Sequence, residues 1–151
     1  MQDKTIYLAS DHGGIVLKNH LCEWLSGCGY RVADLGTYVP DVSVDYPDEA
    51  EKLVQKIQTD PSARGILVCT TGVGMSMAAN RYPFIRGALV FNRDMAKMCR
   101  AHNDANVLIF GAKYTDEKLA EECTKIFLDT SFDGGRHERR VNKLTDLGER
   151  K

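Results

Sequence analysis

Five short runs of apolar, β-favouring residues punctuate the chain, and between them the apolar positions switch to the three-and-four spacing of a helix face. The runs are Thr5 to Ser10, Tyr30 to Leu35, Gly65 to Cys69, Gly87 to Phe91 and Val107 to Phe110, each closing near glycine or polar residues. Leu17, Leu21 and Leu25 form one helical stripe, and Leu119, Cys123, Ile126 and Phe127 form another. Strand and helix in alternation predict βαβ units and a parallel sheet, hence an α/β fold. Helix starts are marked as well. Pro47 suits the first turn of a helix through Leu53 and Ile57, and Thr115, followed by Asp116 and Glu117, reads as an N-cap with acidic residues at the positive helix end. Gly134-Gly135 is a hinge before the basic segment Arg136-His137-Glu138-Arg139-Arg140. Beyond it Val141, Leu144 and Leu147 share a helical face, so residues 133–151 are expected to form an arm that docks on an apolar surface, with another subunit as a candidate partner.

Composition narrows the setting. At 151 residues and 43% hydrophobic content, residues 1–151 fit a single domain able to bury about 70% of its unfolded surface without disulfides. Twenty basic against 21 acidic residues leave a net charge of -1, which offers no broad field for nucleic acid or an anionic membrane. Any anion site must be local. The five cysteines contain no C-x-x-C pair, no secretory leader opens the chain, and the apolar runs are far short of the roughly 20 residues that span a bilayer. Reduced thiols in the cytoplasm and no membrane segment are the expectation.

Chemistry-bearing residues gather where strands end, the usual location of sites in such sheets. Cys69-Thr70-Thr71-Gly72-Val73-Gly74-Met75-Ser76 follows a strand and leads into a helix-compatible run, a turn that can present backbone N–H groups to an anion. A third glycine would have to replace Met77 for a dinucleotide fingerprint, and a P-loop would need Gly-Lys before the hydroxyl residue, so both nucleotide motifs fail. Cys69 is either a small core residue or a thiolate base favoured by the helix end. Cys22, Cys28, Cys99 and Cys123 have the bland reading and no zinc-like spacing, so no metal is expected. Ser10-Asp11-His12-Gly13-Gly14 would put an acid and an imidazole at the same edge as Cys69, although Asp11 could equally cap the next helix. His102-Asn103-Asp104 closes the fourth helix before the fifth strand, where a histidine also suits the negative helix end. Arg136, His137, Arg139 and Arg140 are either a forked phosphate clamp or a solvated face. Tyr46, in the acidic loop Asp41 to Asp48, has a hydroxyl that could meet a polyol or could be structural.

Together, Ser10 to Gly14, Asp34-Leu35-Gly36-Thr37, Val44-Asp45-Tyr46-Pro47, the Cys69 loop, Ala78-Ala79-Asn80, His102 to Val107 and Gly134-Gly135-Arg136-His137 resemble the type B ribose-5-phosphate isomerases, a family that includes ribose, galactose and allose phosphate isomerases. The similarity runs over nearly the whole chain, with separate motifs in the family's order. It implies a Rossmann-like α/β/α sandwich around a five-stranded parallel sheet, working without cofactor as a homodimer or a dimer of dimers. It further implies interconversion of ribose 5-phosphate and ribulose 5-phosphate through a cis-enediolate, a step of the non-oxidative pentose phosphate pathway, with six-carbon sugar phosphates or a non-catalytic phosphosugar-binding module as alternatives.

By the same resemblance Cys69 is the base, and Thr71, the amides from Gly72 through Gly74 to Ser76, and Asn103 hold the enediolate charge. His102 opens the furanose ring, Asp11 handles a hydroxyl proton, and His12, Arg136 and Arg140 bind phosphate, some of them across a subunit boundary. Two positions depart from the pattern. Thr70 stands where many relatives carry glycine, which predicts an extended peptide there. Met75 replaces a glutamate that some members use as base, which returns that role to Cys69.

Overall fold

The computed structural model describes residues 4–150. The assignment of residues 1–151 to one domain therefore reaches past them by residues 1–3 and 151. Strand β1 (Thr5–Ser10) leads through a short 3₁₀ turn at His12–Gly14 into α1 (Ile15–Gly27), followed by β2 (Arg31–Asp34), α2 (Tyr46–Thr59), β3 (Arg64–Cys69) and α3 (Val73–Ala79). Then come β4 (Gly87–Leu89), α4 (Arg93–Ala101), β5 (Val107–Gly111), α5 (Glu117–Asp129) and α6 (Arg136–Glu149). All strand pairs are parallel, in the order β2-β1-β3-β5-β4.

Helices cover both faces, as a parallel sheet requires. Leu17, Leu21 and Leu25 of α1, Ala96 and Cys99 of α4, and Ala120, Cys123 and Phe127 of α5 close over one face. Ala50, Leu53, Val54 and Ile57 of α2 join Met75 and Ala79 of α3 over the other. Both stripes read from the sequence thus face the sheet. Because α1 and α2 lie on opposite faces, the connections diverge between β1 and β3, and the crevice between their carboxyl ends is the topological switch point where such sheets bind ligands.

Three local expectations need correction. Asp116, not Thr115, caps α5: it holds the extended backbone just before the first helical residue, and its carboxylate accepts the Leu119 N–H at 2.8 Å. Thr115 faces inward and is 4% exposed. The fourth strand is shorter than Gly87 to Phe91, since β4 lies at the sheet edge and leaves it after Leu89, and the second starts at Arg31 rather than Tyr30.

The arm folds as α6 behind a Gly134-Gly135 turn with φ of 70° and 58°, a left-handed pair that side chains avoid. It packs on its own chain: Val141 is buried, Gly148 lies against Pro83, and Leu144 and Leu147 stay half exposed.

Candidate active site

The end of β3 turns sharply at Gly72, whose φ of 80° suits glycine and whose missing Cβ makes room for Leu89 and the Gly111 amide. That turn aims the Gly72 N–H at the Cys69 sulfur, 3.0 Å away. The sulfur sits in a residue only 5% exposed, pinned because the Cys69 and Thr70 carbonyls accept N–H groups from Ala112 and Lys113 at 2.9 Å. Thr71 Oγ1 accepts the Val73 N–H at 3.3 Å, and the chain continues directly into α3 with Gly74 and Ser76 on its first turns. Thr70 has no left-handed φ, as expected of a branched residue.

Across the switch point, Asp11 follows β1. Its carboxylate accepts the Gly13 N–H at 2.9 Å, so the capping role foreseen for it is real and leaves the second oxygen available. His12 is exposed, its Nδ1 accepting the Val44 N–H at 3.2 Å, which ties this turn to the loop before α2. Tyr46 opens α2 with its ring over Gly74: a Cβ on that glycine would come within 2.8 Å of the ring. Asp11, His12, Tyr46, Cys69, Thr71, Gly72, Gly74 and Ser76 therefore belong to one edge of the sheet.

An ion pair that sequence reasoning missed braces the same edge. Lys18, fully buried on the apolar stripe of α1, donates to both oxygens of Asp34 at 2.8 Å. Asp34 accepts the Gly36 N–H at 2.9 Å, and Gly36 in turn accepts the Ser10 N–H at 2.7 Å, so the pair anchors the loop beside Asp11. A lysine between Leu17 and Leu21 was the available signal.

His102, Asn103, Arg136 and Arg140 are elsewhere. Register pairs Cys69 with Gly111 and Gly65 with Val107, and four residues of strand span about 13 Å. His102 and Asn103 precede Val107, so they lie beyond the opposite edge of the same sheet. There His102 stacks on His137 of α6, ring centroids 4.2 Å apart, and a pocket of about 390 Å³ is lined by His102, Asn103, His137, Arg140, Val141 and Leu144. Partial desolvation, with His102, Arg136 and Arg140 close by, lowers the His137 pKa below its usual value. His102, Asp133 and His137 bring potential ligand atoms within 4.8 Å of one another. The surrounding guanidinium groups, however, oppose a cation and suit an anion such as phosphate.

The cysteines also divide by environment. Burial pushes the Cys22 and Cys99 thiols up to about 11, and Cys123 upward as well. Cys99 and Cys123 are core residues and Cys22 packs half-buried against the same cluster, whereas Cys28, expected to share that reading, is exposed at the end of α1.

Comparison with known proteins agrees with the architecture. A family model described as ribose/galactose isomerase matches residues 6–144. Ribose-5-phosphate isomerase B of Escherichia coli is 35% identical over 148 residues, covering 98% of this chain and 99% of the relative. The crystal structure of a ribose 5-phosphate isomerase from Thermotoga maritima superposes with a TM-score of 0.92 at 48% identity, over 95% of this chain and 98% of that one. Ribose-5-phosphate isomerase B of Mycoplasma genitalium, solved with bound ribulose 5-phosphate, superposes with a TM-score of 0.95 at 35% identity over 100% of both chains.

Proposed function

The chain belongs to the ribose/galactose isomerase family, and from that premise we propose that it interconverts ribose 5-phosphate and ribulose 5-phosphate with Cys69 as the base. The open-chain aldose carries an acidic proton on C2, next to the carbonyl. Cys69 takes that proton, the electrons pass to the carbonyl oxygen as a cis-enediolate, and the proton returns at C1 to leave the ketose. This shuttle needs one base and a set of donors. The Gly72 N–H at 3.0 Å from the sulfur is the observation that carries the reading: negative charge on that atom has a donor in contact, at the carboxyl end of β3 beside the switch point.

The amides of Gly72, Val73 and Ser76, expected to hold the enediolate charge, are engaged by the Cys69 sulfur, Thr71 Oγ1 and the Gly72 carbonyl, so that role falls to Thr71, the amides of Gly74 and Met75, and Asn103, each such donor being worth about 10²- to 10³-fold in rate. Asp11 moves a sugar hydroxyl proton, Tyr46 contacts the sugar, and His102 assists ring opening. His12, Arg136 and Arg140 receive the phosphate. Since the Cys69 group and the His102 group occupy opposite edges of one chain, a complete site requires two copies, each offering one edge to the other. A homodimer is thus part of the proposal, and the 390 Å³ pocket beside α6 is where the partner's substrate phosphate would rest.

Pentose phosphate is favoured over six-carbon phosphates by the relatives named as ribose-5-phosphate isomerases and by the ribulose 5-phosphate bound to one of them. Steady-state rates on ribose 5-phosphate and on allose 6-phosphate decide between the two. No helix among the described residues is long and apolar enough to cross a membrane, and because no disulfide joins any of the five cysteines we place the reaction in the cytoplasm.

Replacing Cys69 by alanine tests the chemistry. Loss of the base is expected to lower kcat by about 10²- to 10⁴-fold while ribulose 5-phosphate still binds within a few-fold of the wild-type affinity. Near-normal turnover in that variant would remove Cys69 from the reaction.

A further inference from the structure

His102 and Asn103 sit on a turn between α4 and β5 that is held with unusual thoroughness. His102 caps the helix, and the chain reverses at Asp104, the one non-glycine residue with positive φ, 48°, among the described residues. Glycine or asparagine is the usual occupant of such a helix-ending position, because other side chains crowd the following carbonyl. The carboxylate explains the choice of aspartate. Its Oδ1 accepts from Arg100 at 2.7 Å and its Oδ2 from Arg86 at 3.4 Å, while Arg86 Nε reaches the Asp104 carbonyl at 2.7 Å.

Each arginine carries the turn to another element. Arg100 is 6% exposed and donates to the Ala105 carbonyl at 2.7 Å and to the Thr130 carbonyl at the exit of α5 at 3.3 Å. Arg86 stands at the entrance of β4, where its own N–H donates to the Asn106 side chain at 2.8 Å. Asp104 and Ala105 complete the knot by donating their N–H groups to the Arg100 and Cys99 carbonyls at 3.2 and 2.9 Å. Burial and mutual repulsion lower the pKa of Arg86, and Asp104 is the carboxylate that opposes this effect. Within this bonded frame, Asn103 is exposed and His102 half-buried, both lining the pocket beside α6.

We infer that Asp104, clamped between Arg100 and Arg86, is the positioning residue that fixes Asn103 toward the substrate. It touches no reacting atom and acts through the residue before it. The inference rests on the isomerase reading, in which Asn103 holds enediolate charge and His102 opens the ring.

Asp104→Gly is the informative variant, because glycine accepts the left-handed backbone while removing the carboxylate that both arginines hold. Its kcat for ribose 5-phosphate is expected to fall about 10- to 100-fold with KM within about threefold of wild type. In an Asn103→Ala background the same change should cost less than about threefold more, since the group being positioned is already gone. Arg86→Gln, which leaves the Arg100 contact intact, reads the same cycle if the glycine variant does not fold. Unimpaired kcat in the folded variants, or losses that multiply independently of Asn103, overturns the inference. An Asn103→Ala protein with wild-type turnover removes the reading of Asn103 and this inference with it. Impaired Asn103→Ala beside unimpaired Asp104→Gly removes only the inference.

Discussion

Glycine 72 shows how much one residue settles. Its φ of 80° and the closeness of Leu89 and the Gly111 amide leave no room for a side chain, and the turn it makes is what points an N–H at Cys69. Gly72→Ala is expected to cost about 1–3 kcal/mol of stability and, in protein kept folded at lower temperature, to depress kcat as well; thermal melts and steady-state rates read the two separately. A variant with unchanged melting and turnover would show that the turn is not held this tightly. The thiols offer a second residue-scale check. With Cys22 and Cys99 pushed up to about 11 and Cys123 also raised, these three should stay protonated at pH 8 and react slowly with iodoacetamide. Exposed Cys28 and site residue Cys69 should be alkylated first, and ribulose 5-phosphate should protect Cys69 alone; mass spectrometry of peptides after timed labelling gives the order. The positions of Asp11 and Cys69 at the carboxyl end of the sheet were legible in the sequence, because Asp11 follows and Cys69 closes an apolar run of strand character. Asp104 was not, because its meaning lies in Arg86, 18 residues away, and in a backbone angle that sequence pattern does not display.

Among the elements, the helices were read more accurately than their ends. Apolar spacing located the inward faces of α1, α2 and α5, since burial is what that spacing reports. Caps depend on single hydrogen bonds, and adjacent Thr115 and Asp116 are both good capping residues, so the choice awaited the structure. Asp116→Ala is expected to lose about 1 kcal/mol of stability with turnover unchanged, while the capping contribution of Thr115 is nil; chemical denaturation of the two alanine variants compares them. A loss from Thr115→Ala that exceeds the loss from Asp116→Ala and is restored in Thr115→Ser, which keeps the hydroxyl, would contradict the assignment. The arm illustrates the limit of pattern in another way. Val141, Leu144 and Leu147 predicted a docking face, but only Val141 is buried in the single chain, and the two leucines remain half exposed. Spacing says that a face is apolar and leaves open what covers it.

On the scale of the molecule, a parallel sheet has two edges, and the candidate residues divide between them. Strand order and register were the missing information: the motifs could be placed at strand or helix ends, yet the depth of sheet separating Cys69 from His102 emerges only from the pairing of β3 with β5. Neither group alone supplies base, ring-opening histidine and phosphate clamp, so a complete site joins one copy's Cys69 edge to another copy's His102 edge. Mixing two crippled proteins tests this most directly. Cys69→Ala and His102→Asn are each expected to turn over ribose 5-phosphate poorly, and denaturing and refolding them together lets subunits exchange. About half of the resulting dimers are mixed, and each of these holds one intact site and one doubly altered site, so about a quarter of wild-type activity should return. Activity that stays at the average of the two parents, in a mixture shown by mass spectrometry to contain mixed dimers, would contradict the account.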